Sequence, residues 1–272
     1  MKFYVWANSE DKRTTPIRDT AGQHNLELEF ICNNVKFDQG CLFKFPSLYE
    51  KLCDLDDNEI VCCTDGFDVV YQDNLESIKN TFLSFNCDVV FSAEKLYSHQ
   101  LEKNKEYFES LTKSSYKYLN AGSVIGYAKS LKEIYGPKSP KMSRVQSVVY
   151  KLLSIGKKII KNKSLRKFLK RFKPIKAYTE EVRRSSNDQA VVADFIANHE
   201  GGINIQLDYE CKLFWCVAGE WIDLENHYEI VNNKIVNKNT NTVPACIHIP
   251  YTNKYNHLFL KMYALVMENS LQ

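Results

Sequence analysis

The sequence predicts an α/β domain: a sheet whose strands are joined through helices that pack on its faces. Three observations lead there. Short apolar runs of strand length alternate along the chain with segments of helical spacing. One run, Ile60 to Cys63, is apolar without a break and ends in Thr64-Asp65, as a strand covered on both faces of a parallel sheet does. The chain has 272 residues, 44% hydrophobic and 12% aromatic, enough to bury the core such a sheet needs.

Taken in order, residues 2–7 (KFYVWA) read as a first strand and residues 28–32 (LEFIC) as a second. A helix follows from Phe45 to about Leu55, with Pro46 in its first turn, where a missing N–H costs nothing. The buried strand comes next, then a helix over 74–85 and a further buried strand over Cys87 to Ser92. An Asn-Ala-Gly sequence at 120–122 reads as a tight turn ahead of a strand at 124–127. Residues 188–198 read as a helix, and Ile203 to Leu207, Phe214-Trp215 and Ala245 to Ile249 as strands. There are no repeats and no low-complexity linker.

Net charge is +3, but it is unevenly spread. From Lys138 to Arg184 sixteen Lys or Arg stand against two acids, a net +14 that leaves −11 on the remaining residues. Within that block Val145, Val148, Val149, Leu152 and Leu153 recur at helical spacing, as do Leu165, Phe168, Leu169 and Phe172. The chain thus divides into a part at 1–136, a basic amphipathic helical insertion at 137–184, and a return to the first part at 185–272. Basic faces beside apolar stripes suit an anionic membrane surface through 141–176. They equally suit an ordinary helical insertion whose Lys and Arg face water. No nucleic-acid partner is expected, because the block carries no binding motif and its aromatics fall on the apolar stripe.

The start, MKFYVWANSE, lacks the segments of a signal peptide, and no apolar stretch is long enough to span a membrane. The nine cysteines are odd in number and include no CxxC pair. Reduced thiols in a cytoplasmic protein are the expectation, peripheral on the inner membrane face if the basic block binds lipid.

The chemistry concentrates at Asp65-Gly66-Phe67-Asp68, directly after the buried strand. In open α/β sheets ligands bind beyond the carboxyl ends of strands. Two carboxylates three positions apart can converge on one Mg²⁺ or Mn²⁺, which would take up charge as a phosphate departs. Asp68 leads into another apolar run (VVY), so helix capping does not explain it. His248, at the end of a strand-like run, offers an imidazole as a third ligand. Lys254 could meet a phosphate as a point charge.

Six motifs in order carry a resemblance. They are TDGFDVV at 64–70, VVFSAEKLY at 89–97, LNAGSVIGYA at 119–128, SNDQ at 186–189, INIQLDYECKLF at 203–214 and CIHIP at 246–250. The sequence resembles the glycosyltransferase domain of the procollagen lysyl hydroxylases and related collagen-type glycosyltransferases. The resemblance implies a GT-A type, Rossmann-like mixed sheet flanked by helices, with the basic block as an addition. It implies that Asp65, Asp68 and His248 hold Mn²⁺ on the diphosphate of a UDP-sugar. Trp6 and Asn8 would cradle the nucleoside, Phe67 would stack near the uracil, and Lys44 would lie near the nucleotide. Asn120 and Gly122 would pass beneath the sugar. Asn187, Asp188 and Glu94 would supply the catalytic and acceptor side. Two departures bear on the acceptor. The family's acidic pair reads Asp-Asp where this chain has Asn187-Asp188, and its Gly-Asn-Gly after the metal histidine is Ile249-Pro250-Tyr251 here.

The activity this implies is metal-dependent transfer of a hexose from a UDP-sugar, glucose or galactose favoured, to a hydroxyl of a glycan, a lipid-linked glycan or a protein. A nucleotidyltransferase would need a Gly-rich phosphate loop near the N-terminus, and residues 6–22 hold only Gly22. A non-catalytic membrane-associated adaptor on a transferase fold is the other alternative, against which the intact Asp65, Asp68 and His248 stand.

Overall fold

The computed structural model describes residues 1–35, 41–98, 102–136, 187–199, 202–250 and 256–270. The basic insertion and Lys254 lie outside the described residues. Met1–Gly136 and Asn187–Gln272 make one compact unit. Among the described residues no helix is long and apolar enough to cross a membrane.

The strands are β1 (Lys2–Trp6), β2 (Leu28–Ile31), β3 (Ile60–Asp65), β4 (Val69–Tyr71), β5 (Val89–Glu94), β6 (Tyr118–Tyr127), β7 (Ile205–Asp208), β8 (Phe214–Cys216), β9 (Tyr228–Val231), β10 (Lys234–Asn237) and β11 (Cys246–His248). The helices are α1 (Thr15–Gln23), α2 (Lys44–Cys53), α3 (Leu75–Ser84), α4 (Lys105–Leu111), α5 (Ala128–Tyr135), α6 (Asp188–Asn198) and α7 (Asn256–Ser270). The main sheet runs β2-β1-β3-β6-β5-β8-β11-β4, with β7 also paired to β5. β9 and β10 form a separate hairpin through Asn232-Asn233, both at positive φ, the conformation a tight two-residue hairpin turn requires.

Period-two alternation places side chains on both faces, and each face has its own core. On one, Tyr4, Trp6, Val61, Cys63 and Phe91 pack with Leu48 and Leu52 of α2, Leu131 and Ile134 of α5, and Val192 and Ile196 of α6. On the other, Phe3, Val5, Cys62 and Val90 pack with Ile17 and Ala21 of α1 and Ile78 and Phe82 of α3. The layers are therefore helix, sheet, helix, and β3 is buried from Ile60 through Thr64.

The sheet is mixed, as the resemblance implies: β6 runs antiparallel to both β3 and β5, and β4 antiparallel to β11. An apolar run carries no direction, so the sequence pattern alone could not show this. One expectation needs correction. The Asn120–Gly122 stretch is no turn ahead of a strand. It lies inside the ten-residue β6, whose register against β5 shifts between Phe91 and Ser92. The extra residues are absorbed as a bulge, a device that re-aims side chains next to a site.

Candidate active site

The carboxyl ends of β1 and β3 lie side by side, with Trp6 opposite Asp65. The chain leaves β3 through Gly66, whose N–H donates to the Trp6 carbonyl at 3.1 Å. A Cβ there would sit 2.7 Å from Val5 Cγ1 and 3.0 Å from Ala7 Cβ, so only glycine can cross the end of β1 this closely. The reversal delivers Asp68 just before β4, whose antiparallel pairing with β11 sets Val69 opposite His248. The Ile249 N–H then donates to the Asp68 carbonyl at 2.9 Å. Residues far apart in sequence are thus brought to one point.

Ligand atoms of Asp65, Asp68 and His248 all lie within 4.8 Å of one another. His248 Nε2 is 3.5 Å from Asp68 Oδ1 and 3.9 Å from Asp65 Oδ2. These spacings are long for hydrogen bonds, and three ligand groups face a common centre. Gly122 of β6 makes the room. A Cβ on it would fall 2.4 Å from His248 Cε1 and 2.8 Å from Asp65 Oδ2.

Lys44, the first residue of α2, is buried and bridges two carboxylates, at 2.6 Å from Asp65 Oδ1 and 2.8 Å from Asp188 Oδ2. Its ammonium also lies 4.9 Å from the Trp6 ring centre. Burial alone would lower the Lys44 pKa, but Asp188 and Asp65 outweigh it and hold the ammonium well above its ordinary range. Burial raises the Asp65 carboxyl, and of its neighbours Lys44 and His248 oppose that rise while Asp68 and Asp188 add to it. Burial works against the His248 imidazolium, yet Asp68 and Asp65 raise its pKa overall. Among the described residues three carboxylates, Asp65, Asp68 and Asp188, gather here with the Lys44 ammonium and the His248 imidazole. Two carboxylates with an imidazole form a donor set that fits Mn²⁺ or Mg²⁺.

Asn187 caps α6, its side-chain oxygen accepting from the Ala190 N–H at 3.2 Å, so that side chain serves the helix end. Asp188 follows in the first turn and points to Lys44. Glu94, expected on the acceptor side, is 2% exposed and faces inward. It accepts from Asn120 Nδ2 at 2.8 Å, Gln189 Nε2 at 3.0 Å, Ser98 Oγ at 3.0 Å and Cys216 Sγ at 3.5 Å. Trp6 is buried, its Nε1 without a partner among the described residues, while the Asn8 carbonyl accepts from the Asn34 N–H. The Phe67 ring is stacked by the Arg13 guanidinium at 4.4 Å.

Sequence reasoning missed Gln189 and Arg13. Gln189 stands inside the SNDQ motif, and its Oε1 accepts from the Ala121 N–H at 3.2 Å while its Nε2 also donates to the Ser98 carbonyl at 3.0 Å. Arg13 carried no motif to mark it.

A helix-covered mixed sheet with an acidic, glycine-spaced strand end is the arrangement of a GT-A type α/β domain. The family model described as PLOD GT domain matches residues 24–199, more than half of the chain, and the chain belongs to that glycosyltransferase family. Among solved structures, the galactosyltransferase LgtC, crystallised with donor and acceptor sugar analogues, aligns over 97% of this chain and 95% of its own at 12% identity and a TM-score of 0.47. A glycosyltransferase involved in glycosylating the major capsid of PBCV-1 aligns over 98% of this chain and 100% of its own, at 11% identity and a TM-score of 0.44. The bifunctional glycosyltransferase WbbM aligns over 99% of this chain and 51% of its own, at 11% identity and a TM-score of 0.43. A comparison with curated protein sequences finds no match.

Proposed function

We propose that this glycosyltransferase depends on a divalent metal and takes a UDP-sugar, UDP-glucose or UDP-galactose favoured, as donor to an acceptor hydroxyl on a glycan, lipid-linked glycan or protein. The observation that carries the reading is the convergence of Asp65, Asp68 and His248 around a space that Gly122 keeps open. Bound there, Mn²⁺ or Mg²⁺ would supply Lewis-acid charge to a diphosphate leaving group. Lys44 holds Asp65 and Asp188 in place on either side. Asp188, at the start of α6, is the carboxylate best placed to contact the sugar or to accept the proton of an attacking hydroxyl. The unpartnered Trp6 Nε1 supports a nucleoside beside β1. Phe67 offers an aromatic face whose stacking partner in the free protein is Arg13, so a base would join or displace that guanidinium. Lys254 is proposed as a phosphate contact, and the basic segment 141–176 as a contact for anionic lipid, both on sequence grounds.

The test is UDP-sugar hydrolysis by wild type and Asp68→Asn, with and without Mn²⁺, across UDP-glucose, UDP-galactose and UDP-N-acetylhexosamines. Metal-dependent turnover of one donor, lost in the variant, is expected. Equal turnover by both proteins, or turnover indifferent to metal, would defeat the metal reading.

A further inference from the structure

Behind the metal-facing side chains, a line of side chains runs from Glu94 through Asn120 to His248. Glu94 Oε2 accepts from Asn120 Nδ2 at 2.8 Å, and Asn120 Oδ1 faces both the Gly122 N–H at 3.0 Å and His248 Nδ1 at 3.2 Å. All three side chains are buried, at 2%, 5% and 3% exposure, so water cannot substitute for a misdirected partner.

The chemistry of this line has one direction. A carboxylate only accepts, so the Asn120 amide must turn its NH₂ toward Glu94. Its oxygen then faces Gly122 and His248. An oxygen at Nδ1 demands a hydrogen on Nδ1, and a neutral imidazole so held carries its lone pair on Nε2. That nitrogen is the one facing Asp68 and Asp65.

We propose that Glu94 is a positioning residue which, through the orientation of the Asn120 amide, holds His248 in the Nδ1–H form and so presents Nε2 as a metal ligand. The proposal rests on the metal reading above and goes beyond it by assigning Glu94 and Asn120 to the metal histidine. Partners of this kind fix the tautomer and ring orientation of a ligating histidine, and their loss typically weakens metal binding by about 10- to 100-fold.

Substitution by an isostere makes the prediction specific. In Glu94→Gln one side-chain oxygen becomes NH₂, so one neighbour must meet a donor with a donor. Reversing Gln189 would strand two backbone groups, the Ala121 N–H and the Ser98 carbonyl. Reversing Asn120 strands only the Gly122 N–H, because His248 can answer by moving its proton to Nε2. The Asn120 side therefore yields, and the metal-facing nitrogen becomes protonated. Adding Asn120→Asp reverses this. The amide introduced by the first change then donates to the carboxylate introduced by the second, which accepts from the Gly122 N–H and from His248 Nδ1–H.

The experiment is calorimetric titration of Mn²⁺ into the metal-free wild type, Glu94→Gln, and Glu94→Gln combined with Asn120→Asp, at one pH, with folding of each checked by thermal melting. Wild type should bind. Glu94→Gln should bind about 10- to 100-fold more weakly, and the double variant should return to within a few-fold of wild type. Wild-type affinity in Glu94→Gln, or a double variant as weak as the single, would overturn the proposal. Should Glu94→Gln fail to fold, the double variant is read directly against wild type, and a more than tenfold loss would overturn it. Absence of Mn²⁺ binding by wild type itself would overturn the metal reading and this proposal with it.

Discussion

Two buried charge clusters in this domain are built in opposite ways. Around Glu220, which is 1% exposed, four donors stand at bonding distance, Lys95 Nζ at 2.6 Å, Tyr116 OH at 2.8 Å, Asn239 Nδ2 at 2.9 Å and Trp215 Nε1 at 2.9 Å, with His227 Nδ1 further out at 3.5 Å. Around Asp65, Asp68 and His248 the ligand atoms lie within 4.8 Å of one another, Lys44 meets the other oxygen of Asp65, and Gly122 rather than a bulkier residue lies against His248 and Asp65 Oδ2. The first cluster is closed by the protein's own groups and holds the β5–β8 end of the domain together. The second keeps its ligand atoms 3.5 Å and 3.9 Å apart, spacings longer than ordinary hydrogen bonds. Burial of charge alone therefore does not mark a site; the spacing of the groups does.

Breaking the closed cluster should have the largest effect on stability. Glu220→Ala leaves Lys95, Tyr116 and Trp215 without their shared acceptor, and removing one partner of a buried pair costs about 3–5 kcal/mol. Chemical denaturation should show that loss, while Mn²⁺ affinity of the folded fraction stays within a few-fold of wild type. Breaking the open cluster should do the reverse. Gly122→Ala forces a Cβ against His248 and Asp65, so Mn²⁺ binding should disappear in a titration while overpacking lowers stability by about 1–3 kcal/mol.

A further buried carboxylate, outside both clusters, sharpens the contrast through pH. Asp208 accepts from the backbone N–H groups of Lys212, Leu213 and Phe214, but burial outweighs them and lifts its pKa to about 6. Its folded pKa thus exceeds the ordinary 3.8, and the folded state binds the proton more tightly than the unfolded chain does. This contribution is fully present below about pH 4 and is lost as pH rises through about 6, a change of no more than about 3 kcal/mol. Asp208→Asn should flatten that part of the stability profile, measured by denaturant unfolding from pH 4 to 7, and leave metal binding untouched.

The difference between the clusters also explains what could be read in the sequence. Asp65 was legible because it ends an apolar run, Asp68 because it leads into another three positions on, and His248 because it stands near the end of a strand-like run. Strand ends are where such sheets place ligands. Asn187 and Asp188 were legible as a helix start, although which of them caps and which points inward needed the structure. Gln189 and the inward role of Glu94 were not legible. Their partners come from positions 98, 120, 121 and 216, and no local spacing joins those positions. The bulge that brings Gly122 to His248 was hidden for the same reason, since it exists only in the register between β5 and β6. Nor could direction be read from apolar runs, which concealed the antiparallel β6.

The most direct test of the open cluster is a crystal of the wild-type protein grown with Mn²⁺ and UDP, with anomalous scattering recorded at the manganese edge. The account predicts a single strong peak within bonding distance of Asp65, Asp68 and His248 Nε2, absent from Asp68→Asn crystals grown the same way. Manganese bound elsewhere, with those three side chains still apart, would contradict it.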